Sequence, residues 1–218
     1  MGERPIIFGP KSVHAILSGH KTQTRRVMMP QVEFVRSSAY TNGGYYTWKK
    51  EPLSHDATCD LWLSERCPYG RKGDRLWVRE QWMPWVDEAG GLLDCIRFQD
   101  GFMFKPECPD EAAGFKFDGE CEQSTACGGK YRSPIFMPRW AARATLRITG
   151  VWVQRLNDIT PAECEAEGVA GTFQGRNLSG IQHEFAALWD ELNARRGFSW
   201  AKNPWVWVIR FKRDGAVQ

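Results

Sequence analysis

The chain has 218 residues, 42% of them hydrophobic and 25% charged, with 29 basic against 26 acidic side chains and a formal net charge of +3. This is ordinary globular usage, enough for one elaborated domain or two small ones, and it excludes a disordered or fibrous chain. So small a net charge neither demands nor excludes a nucleic-acid partner, which leaves the question to local patches.

The start, Met1-Gly2-Glu3-Arg4-Pro5, has no long apolar stretch behind it. No signal peptide or membrane span is expected, and the expected location is the cytoplasm. The seven cysteines are then expected as reduced thiols and not as a disulfide framework. His55, Cys59 and Cys67 form one possible ligand set for a metal, and Cys108, Cys121 and Cys127 a looser one. Structural zinc sites usually show tight CxxC pairs, and this chain has none, so no metal or other cofactor is expected.

Residues 1–36 predict a strand, a short amphipathic helix over Lys11–Leu17 and a basic turn. Gly19 can take the left-handed conformation that ends a helix. Just past it, Lys21, Thr22, Thr24, Arg25 and Arg26 crowd amine, hydroxyl and guanidinium groups into six residues. A solvated basic loop is the plain interpretation. The alternation of hydroxyls with charge favours a ligand site, in which Thr24 can act as a nucleophile if a lysine with a depressed pKa takes its proton.

Residues 37–70 are irregular in pattern and rich in Ser, Tyr, Gly and Asp. They resemble an insertion or a long loop, closing with a turn at Cys67-Pro68-Tyr69-Gly70. Asp74–Trp82 alternates as a strand, with Leu76, Val78 and Glu80 on one face. A carboxylate on an apolar face is costly unless paired. Glu80 is therefore either a site residue or the partner of an arginine. Residues 86–134 carry strand hints at Cys95–Phe98 and Gly114–Phe117.

Met137-Pro138-Arg139-Trp140-Ala141-Ala142-Arg143 sets two arginines beside a tryptophan. That suits a stacked base and a phosphate, or a tryptophan that plugs the core. Ala144–Val153 predicts a strand broken at Gly150. Thr160-Pro161-Ala162-Glu163 has the pattern of a capping box and opens a helix that stops at Gly168. Glu167, at the end of that helix, opposes the helix dipole. Ser179-Gly180-Ile181-Gln182 opens a second helix with an apolar stripe of Ile181, Phe185, Leu188, Trp189 and Leu192, ended by Gly197. Trp205–Phe211 is the last strand. Of the eleven tryptophans, most are expected in the core and a minority as stacking platforms. Strands in the middle with few helices point to a small mixed α+β barrel with covering helices.

The ordered set Gly19-x-Lys21-Thr22-x-Thr24-x-Arg26, Gly73-Asp74, Glu167-Gly168 and a final aromatic strand resembles the ASCH domain family. Cys67-Pro68-Tyr69-Gly70, Trp77-Val78-Arg79-Glu80-x-Trp82, Met137–Ala141 and Asn203-Pro204-Trp205-Val206-Trp207 are similar to the longer phage and prophage members. The resemblance covers nearly the whole chain. It implies a PUA-like mixed β-barrel forming a single domain over 1–218, with insertions at about 37–66 and 86–133. It also implies RNA or a modified nucleoside as partner. One bacterial branch of the family hydrolyses the acetyl amide of acetylcytidine with a lysine, a threonine and a glutamate. The matching residues here are Lys21, Thr24 and Glu167. Thr22, Arg25, Arg26, Arg79, Glu80, Arg139, Trp140 and Arg143 are then candidates for substrate or nucleic-acid binding. A non-catalytic RNA-binding module and a ribonuclease are the alternatives.

Overall fold

The computed structural model describes residues 2–36, 44–49, 51–53, 65–86, 92–98, 101–104, 131–169 and 178–214. In chain order its elements are β1 (Glu3–Ile7), α1 (Pro10–Leu17), β2 (Gln23–Val27), β3 (Glu33–Arg36), β4 (Gly44–Trp48), β5 (Glu51–Leu53), β6 (Arg75–Arg79), β7 (Met83–Val86), β8 (Leu92–Phe98), β9 (Gly101–Phe104), β10 (Thr145–Arg155), α2 (Pro161–Ala166), α3 (Leu178–Asn193) and β11 (Trp205–Arg213).

A five-stranded mixed sheet, ordered β1-β6-β10-β11-β2, carries the fold. β1 and β6 run parallel, and the other neighbours are antiparallel. The architecture is α+β, as expected. The expected closed barrel is instead an open sheet: among the described residues β1 and β2 are its two edges, and no ladder joins them. The link between these edges is α1, which packs Val13 and Ile16 against Ile6, Phe8, Ile209 and Phe211. One side chain bridges the gap, as the Arg26 Nη2 donates to the Ile7 carbonyl at 2.6 Å.

β11 is apolar on both faces, and the sheet explains why. Its Ile209 and Phe211 join the α1 side, while Val206 and Val208 pack with Ile181, Phe185 and Trp189 of α3. The interruption expected at Gly150 is a register shift in β10 between Ile148 and Gly150.

Three expectations need correction. The basic segment is not a turn throughout, because Gln23–Val27 forms an edge strand with Thr24 opposite Ile209 and Arg25 opposite Val208. Residues 37–70 are not uniformly irregular: β4 lies between β3 and β5 in a three-stranded sheet. That sheet meets the main one through Trp48, whose ring stands edge-on to Trp207 at 5.9 Å. Finally, only part of the α3 stripe is core, since Leu188 and Leu192 are exposed. The strand hint at Cys95–Phe98 falls within β8, and Gly114–Phe117 lies outside the described residues. Trp48, Trp77, Trp82, Trp189 and Trp207 are buried, whereas Trp140 is exposed.

Candidate active-site cleft

Two short helices, each stopped by a glycine, bring the central groups together. After α1, Gly19 takes φ +81° and the chain turns back, so that the Lys21 amide donates to Ala15. α2 opens with a complete capping box between Thr160 and Glu163 and stops at Gly168, φ +83°. The Thr22 amide then donates to the Ala166 carbonyl at 2.8 Å, which ties the two helix ends together. Gly168 is required there for space as well as for φ. A Cβ on it would stand 3.1 Å from the Lys21 Cβ and 3.2 Å from the Ala15 Cβ.

The consequence is a buried ionic set. Lys21 Nζ donates to Glu167 Oε2 at 2.8 Å and to the Glu167 backbone carbonyl at 2.6 Å. Both side chains are only 6% exposed. The other carboxylate oxygen accepts from Arg25 Nη1 at 3.1 Å, and Arg25 Nη2 pairs with Glu163 Oε2 at 3.0 Å. Glu167 thus serves two cations, one on each oxygen.

Burial holds the Lys21 amine below the ordinary lysine range. Glu167 pulls it back up, and the charges of Arg26 and Arg25 press it down again, so the net shift is downward. Burial also lowers Arg26. At Glu163 burial raises the carboxyl, but the Thr160 amide and the Arg25 charge outweigh it and the net shift is downward. The Cys67 and Cys164 thiols are each pushed up to about 11 by burial, so neither is an activated nucleophile.

In front of this set lies a cleft of about 480 Å³, within the range of small-molecule sites. Lys21, Thr24, Arg25, Arg26 and Glu167 line it together. Thr24 is 4% exposed, and its hydroxyl has no hydrogen-bond partner among the described residues. Sequence reasoning missed the rest of the wall. Lys11 and Ser12 of α1, Tyr69, and Arg196 beyond α3 also line the cleft, as do Leu188 and Leu192. Leu192, on the outer face of α3, is 73% exposed. The signal available was the width of the α3 stripe, which is broader than the core contact needs.

The remaining candidates stand elsewhere. Thr22 is exposed and acts through its backbone. Arg79 stacks over the Trp77 ring at 4.4 Å. Glu80 accepts from Arg143 through both oxygens, at 2.9 and 2.6 Å, so the arginine-partner alternative describes it. Arg139 pairs with Glu3 at 2.6 Å beside the exposed Trp140. None of these six lines the cleft. His55 and Cys59 lie outside the described residues, as do Cys108, Cys121 and Cys127. Among the described residues no group of His, Cys, Asp and Glu side chains is placed to hold a metal.

No family model matches the chain. No curated protein matches it either. Among solved structures it is similar to an ASCH domain from Lactobacillus crispatus JV V101, with 10% identity and a TM-score of 0.40 over 97% of this chain and 79% of that one. It is also similar to a DUF984 protein from Enterococcus faecalis V583, with 13% identity and a TM-score of 0.37 over 98% of this chain and 77% of that one. Both are likenesses of fold at low identity and carry no statement about what this chain does. Among the described residues no helix is long and apolar enough to cross a membrane.

Proposed function

We propose that the cleft hydrolyses an amide on a modified nucleoside or base of the acylated cytidine type. One observation carries this reading. A buried lysine with a lowered pKa, gripped by a carboxylate, lines the same cleft as a buried threonine whose hydroxyl has no partner among the described residues.

In its neutral form Lys21 accepts the Thr24 proton, and the threonine oxygen attacks the acyl carbon. Lys21 then passes the proton to the departing exocyclic amine, leaving an ester on Thr24. Water attacks that ester with Lys21 again as base, which frees the acid and restores the hydroxyl. Glu167 holds the amine in place through two hydrogen bonds. Arg25 pairs with the other carboxylate oxygen, and its charge disfavours the protonated form of Lys21. No step calls for a cofactor.

The test is turnover of acetylcytidine followed by chromatography, with Lys21→Met and Glu167→Gln beside the wild type. Turnover by the wild type and its loss in both variants is the expected result. A wild type inert toward every acylated cytidine offered would overturn the reading.

A further inference from the structure

Charge in the cleft is unbalanced. Among the described residues its lining includes Lys11, Lys21, Arg25, Arg26 and Arg196 but a single carboxylate, Glu167. Lys21 and Arg25 use that carboxylate, with Glu163 as second partner of Arg25. Lys11, Arg26 and Arg196 have no carboxylate partner among the described residues. Arg26 is nevertheless held in position, by the Ile7 carbonyl and by the Phe8 ring at 4.9 Å. Arg196 is braced by Asn193 at 3.4 Å, and its charge repels that of Arg26. Fixed like charges facing one space are stabilised by an anion brought between them.

The backbone adds donors at the same place. α1 begins at Pro10, which has no N–H, and its N-cap is Gly9, which has no side chain to offer. The Val13 amide is satisfied by Gly9, while those of Lys11 and Ser12 meet no acceptor among the described residues. Gly9, Lys11 and Ser12 all line the cleft, and the dipole of α1 favours negative charge there. An independent sign that the space takes a ligand is Thr24, a residue more than nine-tenths buried that lines the same cleft and whose hydroxyl has no hydrogen-bond partner among the described residues.

We infer that the outer part of the cleft is a phosphate seat, made by Lys11, Arg26, Arg196 and the open amides of Lys11 and Ser12. It takes the phosphate ester of the ligand whose base lies against Thr24. The natural ligand is therefore a nucleotide, free or within a strand, and not an uncharged nucleoside. This rests on the hydrolase reading only for the identity of the base.

Calorimetry separates the two ideas. Cytidine and cytidine 5′-monophosphate are titrated into the wild type, Lys11→Ala and Arg196→Ala at low and high salt. The monophosphate is expected to bind about tenfold more tightly, as one charge-assisted contact provides. That advantage is expected to shrink with salt and in each variant. Equal binding of both probes, or an advantage untouched in both variants, overturns the seat.

Turnover of acetylcytidine, its 5′-monophosphate and a short single strand carrying one acetylcytidine then identifies the source of the phosphate. Preference for the monophosphate marks a free nucleotide, and preference for the strand marks nucleic acid; either supports the seat. Selective binding of the monophosphate with no turnover of any substrate would sink the hydrolase reading and leave the seat. Equal binding with turnover of acetylcytidine would do the reverse.

Discussion

Glu167 and Glu80 are buried to the same degree, each with a side chain 6% exposed, and each is held by a cation. They differ in partner and in access. Glu80 is gripped by both arms of Arg143 and lies away from the cleft. Arginine keeps its proton at any physiological pH, so this pair can only hold structure. Glu167 shares its oxygens between Arg25 and a lysine whose amine burial makes easier to deprotonate, and it lines the cleft. Burial of a carboxylate alone therefore does not mark a chemical site; a partner that can change its protonation and a space for substrate do.

The sharpest way to break this comparison is to remove each cation. Lys21→Met should lower kcat/KM on acetylcytidine by about 10²–10⁴-fold, the usual worth of a general base. Arg143→Met should leave it unchanged, with circular dichroism confirming that both variants fold. Similar losses in the two would erase the distinction.

Stability should show the opposite pattern. Glu80→Gln removes the negative charge that both arms of Arg143 grip and should cost about 3 kcal/mol in urea unfolding. Adding Arg143→Met should recover part of that loss, because no guanidinium then faces the neutral amide. A single variant as stable as the wild type would reduce the pair to a surface bridge.

The pH profile sharpens the Lys21 side. Catalysis needs the neutral amine, so kcat/KM should fall about tenfold per pH unit below the Lys21 pKa, which lies under the ordinary 10.5. Stability carries the same sign. Between the folded-state pKa and the ordinary one, the unfolded chain binds more protons at Lys21, so this residue's contribution rises with pH. A rate that fell with rising pH across that window would contradict the assigned base.

The smallest effect tests the scaffold under Glu167. Thr160→Ala removes the side-chain acceptor of the capping box and should cost about 1 kcal/mol in thermal unfolding. Activity should fall only as far as α2 loosens. An unchanged melting temperature would mean that the Arg25–Glu163 pair holds the helix start by itself.

Local physics made several of these features visible along the chain. Gly19 and Gly168 announced two helix stops, the Thr160–Glu163 spacing announced the cap, and the alternation of Trp205–Phe211 announced the last strand. Lys21, Thr24 and Glu167 stood out through residue type and through the family resemblance. Backbone conformation and capping depend on neighbours a few residues away, so the sequence by itself determined them. Only the tertiary structure decided that the sheet stays open between β1 and β2, that Thr24 sits on an edge strand, and that Glu80 answers to Arg143 while Glu167 answers to Lys21. It alone set Lys11 and Arg196, 185 residues apart in the chain, around one cleft. Ion pairing and cleft lining depend on contacts between residues far apart in sequence, and the side chains that make them carry no local mark of their partners.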